Sequence, residues 1–306
     1  MRLWQRSVFV IIMLCFCVLS AIQSLASSDI KEPNVAGQFY PSDKVVLKQT
    51  IEKFLAEAHP SSIQGDIFSL IEPHAGYEFS GPTAAFGYKS IQGRHYKTVV
   101  VIGPAHFFPF AGISIYPQGK FHTPLGDLDI DSGFAAKLID PKAKTAFIPQ
   151  AFEKEHSVEI QLPFLQVVLS NFRIVPVVIG DTDLPILESF AKNLVKAISQ
   201  RKDVLIIVSS DLCHSYDFEL TESTDAVTLL ALQHMSGREF YAALREGKAQ
   251  MCGGFPAVVA LLASKMLGFD KVQILSATNT ALVTGLKVKG QWTVGYAAGV
   301  ISNAKL

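Results

Sequence analysis

The chain has 306 residues, 49% hydrophobic and 18% charged, which is enough apolar material for one large core; length alone permits one large domain or two modest ones. Its 27 basic and 27 acidic residues cancel, so no charge excess points to nucleic acid or to an anionic membrane surface. Four cysteines in so long a chain make no disulfide scaffold, and the core must hold the fold.

The amino end differs in kind from the rest. Arg2 and Arg6 precede an almost wholly apolar run from Ser7 to Ser20, and Ser24-Leu25-Ala26 supplies the small residues that a signal peptidase reads. The pattern predicts a signal peptide over residues 1–26, a mature domain over 27–306, and export to a periplasmic or extracellular space. The alternative is an uncleaved anchor, although the run is short for the roughly 20 residues of a membrane span. Cys15 and Cys17 leave with the signal. Cys213 and Cys252 remain, in an oxidising compartment, either as a disulfide or with at least one as a protected or metal-bound thiolate.

Apolar, β-branched runs then recur: Ile67 to Ile71, Thr98 to Ile102, Ile113 to Tyr116, Ile174 to Ile179, Val204 to Val208, Val272 to Leu275 and Trp292 to Val300. Several lack polar alternation, as strands buried on both faces do. Helical patterns fall between them, at Val45 to Ala58, Pro82 to Ile91, Val158 to Leu169, Leu184 to Ser199, Asp225 to Met235 and Pro256 to Met266. Tyr116 to Asp131 reads as a hairpin, with turn chemistry at Pro117-Gln118-Gly119. Ser80 and Gly81 look like the start of the helix that follows. The alternation predicts a single α/β domain with a central mixed, largely parallel sheet flanked by helices. No later segment is long and apolar enough to cross a bilayer.

Three of the strands run straight into histidine-bearing loops: Pro73-His74-Ala75-Gly76, Gly103-Pro104-Ala105-His106, and Ser209-Ser210-Asp211-Leu212-Cys213-His214. Ligands of open α/β sheets collect beyond the carboxyl ends of strands, so parallel neighbours would bring these histidines together. Cys252 sits before a helix, where the dipole favours a thiolate. Two imidazoles and a thiolate, from His74, His106 and Cys252, can hold a borderline or soft metal ion. Glu155-His156-Ser157-x-Glu159 is either a capping box or the source of a cleft-facing histidine, and Asp211 either caps a turn or orients an imidazole. His59, His95, His122 and His234 read as surface residues. There is no nucleophile elbow, P-loop or dinucleotide fingerprint.

These segments, together with Val35-Ala36-Gly37-Gln38-Phe39-Tyr40-Pro41, His122-Thr123-Pro124-Leu125-Gly126-Asp127, Cys252-Gly253 and Gly295-Tyr296-Ala297-Ala298, resemble the Memo family in order and rough spacing. That family is similar in fold to the class III extradiol, LigB-like dioxygenases, which hold iron with two histidines and a glutamate. The resemblance implies His74 and His106 as metal ligands, Cys252 in the glutamate's position, and His214 as the acid/base group beside Asp211; His156, if it faces the cleft, is a donor there by its own sequence context. It implies copper or iron as the metal. It also implies either metal-linked redox chemistry on an unknown small molecule, or a non-catalytic metal- or peptide-binding protein. Radical-SAM and AMMECR-type proteins are associated partners of bacterial relatives.

Overall fold

The computed structural model describes residues 30–303; the expected signal peptide lies outside the described residues. In chain order, β1 (Ile30–Lys31) leads to α1 (Lys44–Glu57), β2 (Ile67–Glu72), α2 (Tyr77–Ile91) and β3 (Thr98–Pro104). Three short strands follow, β4 (Ile113–Ile115), β5 (Lys120–Thr123) and β6 (Gly126–Asp129), then α3 (Ser132–Leu138), β7 (Thr145–Ala146) and α4 (Gln150–Glu153). A 3-10 turn (Glu159–Gln161) runs into α5 (Leu162–Val168), β8 (Arg173–Ile179), α6 (Leu184–Ile198), β9 (Val204–Ser209) and β10 (His214–Ser215). The last elements are α7 (Phe218–His234), α8 (Gly237–Arg245), α9 (Gly254–Met266), β11 (Lys271–Asn279), α10 (Thr280–Thr284) and β12 (Thr293–Ser302).

The long strands form a nine-stranded sheet in the order β10-β12-β2-β9-β3-β8-β4-β7, with β11 also paired to β12. β2, β9, β3 and β8 are mutually parallel neighbours. β2, β3 and β9 are buried throughout and β8 after its first residue, which is why these runs carry no polar alternation. The sheet is mixed: its centre is parallel, β12 is antiparallel to β2 and β4 to β8, and the edge pair of β4 and β7 is parallel again. A separate three-stranded sheet joins β1 to the β5–β6 hairpin, which falls within the expected excursion.

Helices cover both faces. On one, α1 starts at Asp43, whose carboxylate accepts the Val45 and Val46 N–H groups, and buries Leu47, Ile51 and Leu55 at helical spacing. It packs with Tyr88 and Phe164 over Leu70, Val99, Val101 and Leu205. On the other, α6 buries Leu187, Phe190, Ala191 and Leu194 against Val100, Val175 and Ile206, beside Val258 and Val259 of α9. No helix among the described residues is long and apolar enough to cross a membrane.

Some helix ends differ from the sequence pattern. α2 begins at Tyr77 rather than Pro82, so Ser80 and Gly81 lie inside it. The stretch from Val158 is no single helix: a 3-10 turn precedes Leu162, and Pro163 takes the first turn of α5. Its supposed capping box does not form, since Glu155 and Glu159 bind other segments. α7 starts at Phe218 because Asp217 caps it, accepting from Glu219 and Leu220. α8, with a true capping box of Ser236 and Glu239, had no counterpart in the pattern reading.

Candidate metal centre

Register explains why distant loops meet. Ile71 lies opposite Val208, and Val208 opposite Ile102, so β2, β9 and β3 end on one edge. His74 follows β2, His106 follows β3, and Asp211 and His214 follow β9. Gly103 is required where the β3 loop passes Ser157, because a Cβ there would run into the Ser157 side chain.

His74 is buried at 2% exposure. Its backbone N–H donates to Asp211 Oδ1 at 2.8 Å, its Nδ1 lies 2.9 Å from Ser209 Oγ, and its Nε2 lies 3.2 Å from Cys252 Sγ. His106 is more open. Glu155 holds it twice, accepting the backbone N–H at 2.6 Å and the ring Nδ1–H at 2.9 Å. A carboxylate only accepts, so Nδ1 carries the proton and Nε2 is bare in the neutral ring. His156 follows α4, and its ring stacks on His106 at 5.0 Å and 19°, with His74 at 5.5 Å. The side-chain nitrogens of His74, His106 and His156 offer one ligand atom each, all within 4.8 Å of one another.

The metal set read from the sequence is therefore corrected. The cluster that can gather about one ion is His74, His106 and His156; Cys252 is not part of it. Cys252 touches His74 alone among the three, and its sulfur also accepts the Asp211 N–H at 3.2 Å. Nor does the helix dipole give it a thiolate. Burial, with Asp211 alongside, pushes the Cys252 thiol well above its ordinary value. Cys213 and Cys252 are both free thiols here, and the Cys213 S–H donates to Gln250 Oε1 at 3.4 Å.

The remaining predicted residues surround the cluster. Asp211 is buried, and its carboxylate takes the His74 backbone N–H rather than any imidazole, so it orients the loop and not a ring tautomer. Burial raises it to about 7. His214 is exposed and donates Nδ1–H to the Leu212 carbonyl at 3.0 Å, which leaves Nε2 bare in the neutral ring. His59, His95 and His234 are exposed, as read; His122 is half-buried, 2.6 Å from Asp127.

The donor set suits a transition-metal ion. Burial, then the neighbouring histidines, keeps His74 far below its ordinary value; burial first brings His156 down to about 4. Neutral imidazoles are the form that ligates. The His156 Nδ1 is buried and has no hydrogen-bond partner, with Glu155 Oε1 3.7 Å away, too far to bond it. Glu155 behind His106 is the arrangement that orients a metal-bound histidine. Burial raises the Glu155 carboxyl, but the His106 ring and the backbone N–H groups outweigh it and hold it below its ordinary value. Beside the cluster opens a cleft of about 500 Å³ lined by Leu212, His214, Arg245, Met251 and Cys252.

An α/β protein with three histidines gathered beyond the carboxyl ends of its parallel strands is the class these features define. A family model described as "Memo-like protein" matches residues 31–300. A "MEMO1 family protein" of Nitrosopumilus maritimus is 33% identical over 275 residues, 88% of this chain and 98% of that protein. Those of Methanobrevibacter smithii (32%; 89% and 99%) and Thermotoga neapolitana (34%; 89% and 100%) are similar along their whole length. The chain belongs to the Memo family.

His156, read from the sequence as a cap or a cleft-facing donor, is the residue that joins His74 and His106 in the three-nitrogen cluster. Its signal was adjacency to Glu155, but it leaves a short helix rather than a strand, so the strand-end rule passed over it.

Proposed function

We propose that this Memo-family protein binds a transition-metal ion through His74, His106 and His156. The observation that carries the reading is the 4.8 Å grouping of three side-chain nitrogens, with the buried His156 Nδ1 unpartnered. Copper or iron is the metal we favour, since imidazole suits both. The family's similarity to LigB-like dioxygenases and the strand-end position of His74 and His106 support a fold of that plan. A bound ion would supply Lewis acidity to a ligand at an open position. The protein's own residues do the rest. Glu155 fixes His106, Asp211 holds the His74 loop, and the bare Nε2 of His214 accepts a proton at the cleft wall. A small molecule or short peptide is what the cleft's size admits.

The test is metal content and affinity of purified protein loaded with Fe²⁺ under reducing conditions or with Cu²⁺ without reductant. His156→Ala should lower affinity at least about 10-fold, while Cys252→Ser retains stoichiometric metal. Loss of metal in Cys252→Ser with retention in His156→Ala would overturn the three-histidine site.

A further inference from the structure

Beneath the cluster lies a buried polar chain that the sequence did not single out. Tyr88 Oη–H donates to Gln161 Oε1 at 2.6 Å. Gln161 Nε2 donates to the Pro73 carbonyl at 3.0 Å and to Ser209 Oγ at 2.7 Å. Ser209 Oγ–H in turn donates to the Ser157 carbonyl at 2.6 Å, and Ser209 Oγ lies 2.9 Å from His74 Nδ1. Ser209, Gln161 and Ser157 are all fully buried, so no solvent competes for these bonds.

The donors and acceptors here admit one assignment. The Pro73 carbonyl can only accept, which places the Gln161 NH₂ and not its oxygen against Pro73 and Ser209. Ser209 therefore receives from Gln161 and has a single proton to give. Two acceptors are in reach, the Ser157 carbonyl and an unprotonated His74 Nδ1. Giving the proton to His74 would leave two oxygens facing each other at 2.6 Å with no hydrogen between them. The proton belongs to the Ser157 carbonyl, and the Ser209 oxygen must accept from the ring.

We propose that Ser209, its proton committed to Ser157 and its oxygen held by Gln161, is a positioning residue that locks His74 as the Nδ1–H tautomer and leaves Nε2 bare toward the metal cluster. The role in metal binding rests on the proposed function above; the tautomer does not. Cys252 fits the same assignment. Its sulfur lies 3.2 Å from that Nε2 and accepts the Asp211 N–H, and its single S–H has both the bare Nε2 and the Asp211 carbonyl, at 3.5 Å, as acceptors, so it needs no proton on the ring nitrogen. Glu155 locks His106 through a charged acceptor. Ser209 does so for His74 with a neutral one, which adds no charge beside an imidazole that is itself only 2% exposed.

The test is long-range ¹H–¹⁵N correlation on metal-free, ¹⁵N-histidine-labelled protein, in which protonated and bare ring nitrogens give separate signals. His74 is assigned by its absence in His74→Gln. Zn²⁺ titration, a redox-silent probe, follows on the same samples. Wild type should show Nδ1 protonated and Nε2 bare. Ser209→Ala should shift His74 toward Nε2–H and weaken Zn²⁺ binding about 10–100-fold, with Ser209→Thr restoring both. A wild-type His74 protonated at Nε2, or a folded Ser209→Ala with the wild-type tautomer, would overturn the lock. Should Ser209→Ala not fold, the wild-type spectrum decides alone. The predicted tautomer in a wild type that takes up no Zn²⁺ bears out the lock and instead sinks the metal reading.

Discussion

Glu155 shows how much one side chain does at this site. Its two oxygens accept the His106 ring N–H, the His106 backbone N–H and the backbone N–H groups of His156 and Ser157. The residue thus ties the loop after β3 to the loop after α4 and sets the stack of two candidate ligand rings. Glu155→Gln puts a donor where only an acceptor fits. It should weaken metal binding about 10–100-fold and destabilise the metal-free fold by about 1–3 kcal/mol. Calorimetric titration with Cu²⁺ and urea unfolding of the apoprotein read the two effects separately, and unchanged affinity would mean that His106 needs no orienting partner.

At the scale of elements, the segment before α1 is pinned to the site from below. Glu159, in the 3-10 turn that precedes α5, is buried and takes the N–H groups of Asn34 and Val35 and the Tyr40 hydroxyl at 2.6–3.0 Å. Phe39, next in that segment, lays its ring edge-on to His156 at 5.0 Å. Glu159→Ala should leave three donors short of an acceptor and cost about 2–4 kcal/mol. The measurable result is a lower urea midpoint at unchanged slope, together with earlier proteolysis of the amino segment. A loss under about 0.5 kcal/mol, the scatter of ordinary surface changes, would show that the segment is held otherwise. The cap of α8 is a smaller case: Ser236→Ala removes the acceptor for Glu239 N–H and should cost about 1 kcal/mol.

For the whole molecule, the stability curve against pH carries the signature of Asp225. This side chain, near the centre of α7, accepts the Cys213 N–H at 2.9 Å. Burial raises its carboxyl to about 7; the Cys213 N–H opposes the shift and Glu222 adds to it. An unfolded aspartate titrates near 3.9. Below that value the group is protonated in both states and the full contribution to stability is present. From about 4 to 7 only the folded state keeps the proton, so the contribution falls as pH rises and is gone above about 7. Asp225→Asn keeps an acceptor for Cys213 and cannot ionise. It should melt about 2–4 °C above wild type at pH 8, the shift that roughly 1 kcal/mol makes in a domain of this size, with the gap closing toward pH 4. Parallel melting curves across that range would remove Asp225 as the source.

The sequence by itself determined the α/β alternation, the both-face burial of the central strands and the strand-end placement of His74, His106 and His214. Each follows from local pattern: unbroken apolar runs mean two covered faces, and a residue just past a strand lies at the sheet's edge. Only the tertiary structure decided the rest. Periodicity reports burial but not a strand's partner, so a mixed sheet was legible but not that β12 and β4 are the strands that run antiparallel to their neighbours. Likewise, which side chains share an ion depends on where each ring points, and that is set by contacts between segments far apart. Glu155 turns His106 toward His156 across 49 residues, and Ser209 holds the other edge of His74 across 135. Cys252 reaches the neighbourhood of His74 but stays outside the three-nitrogen group.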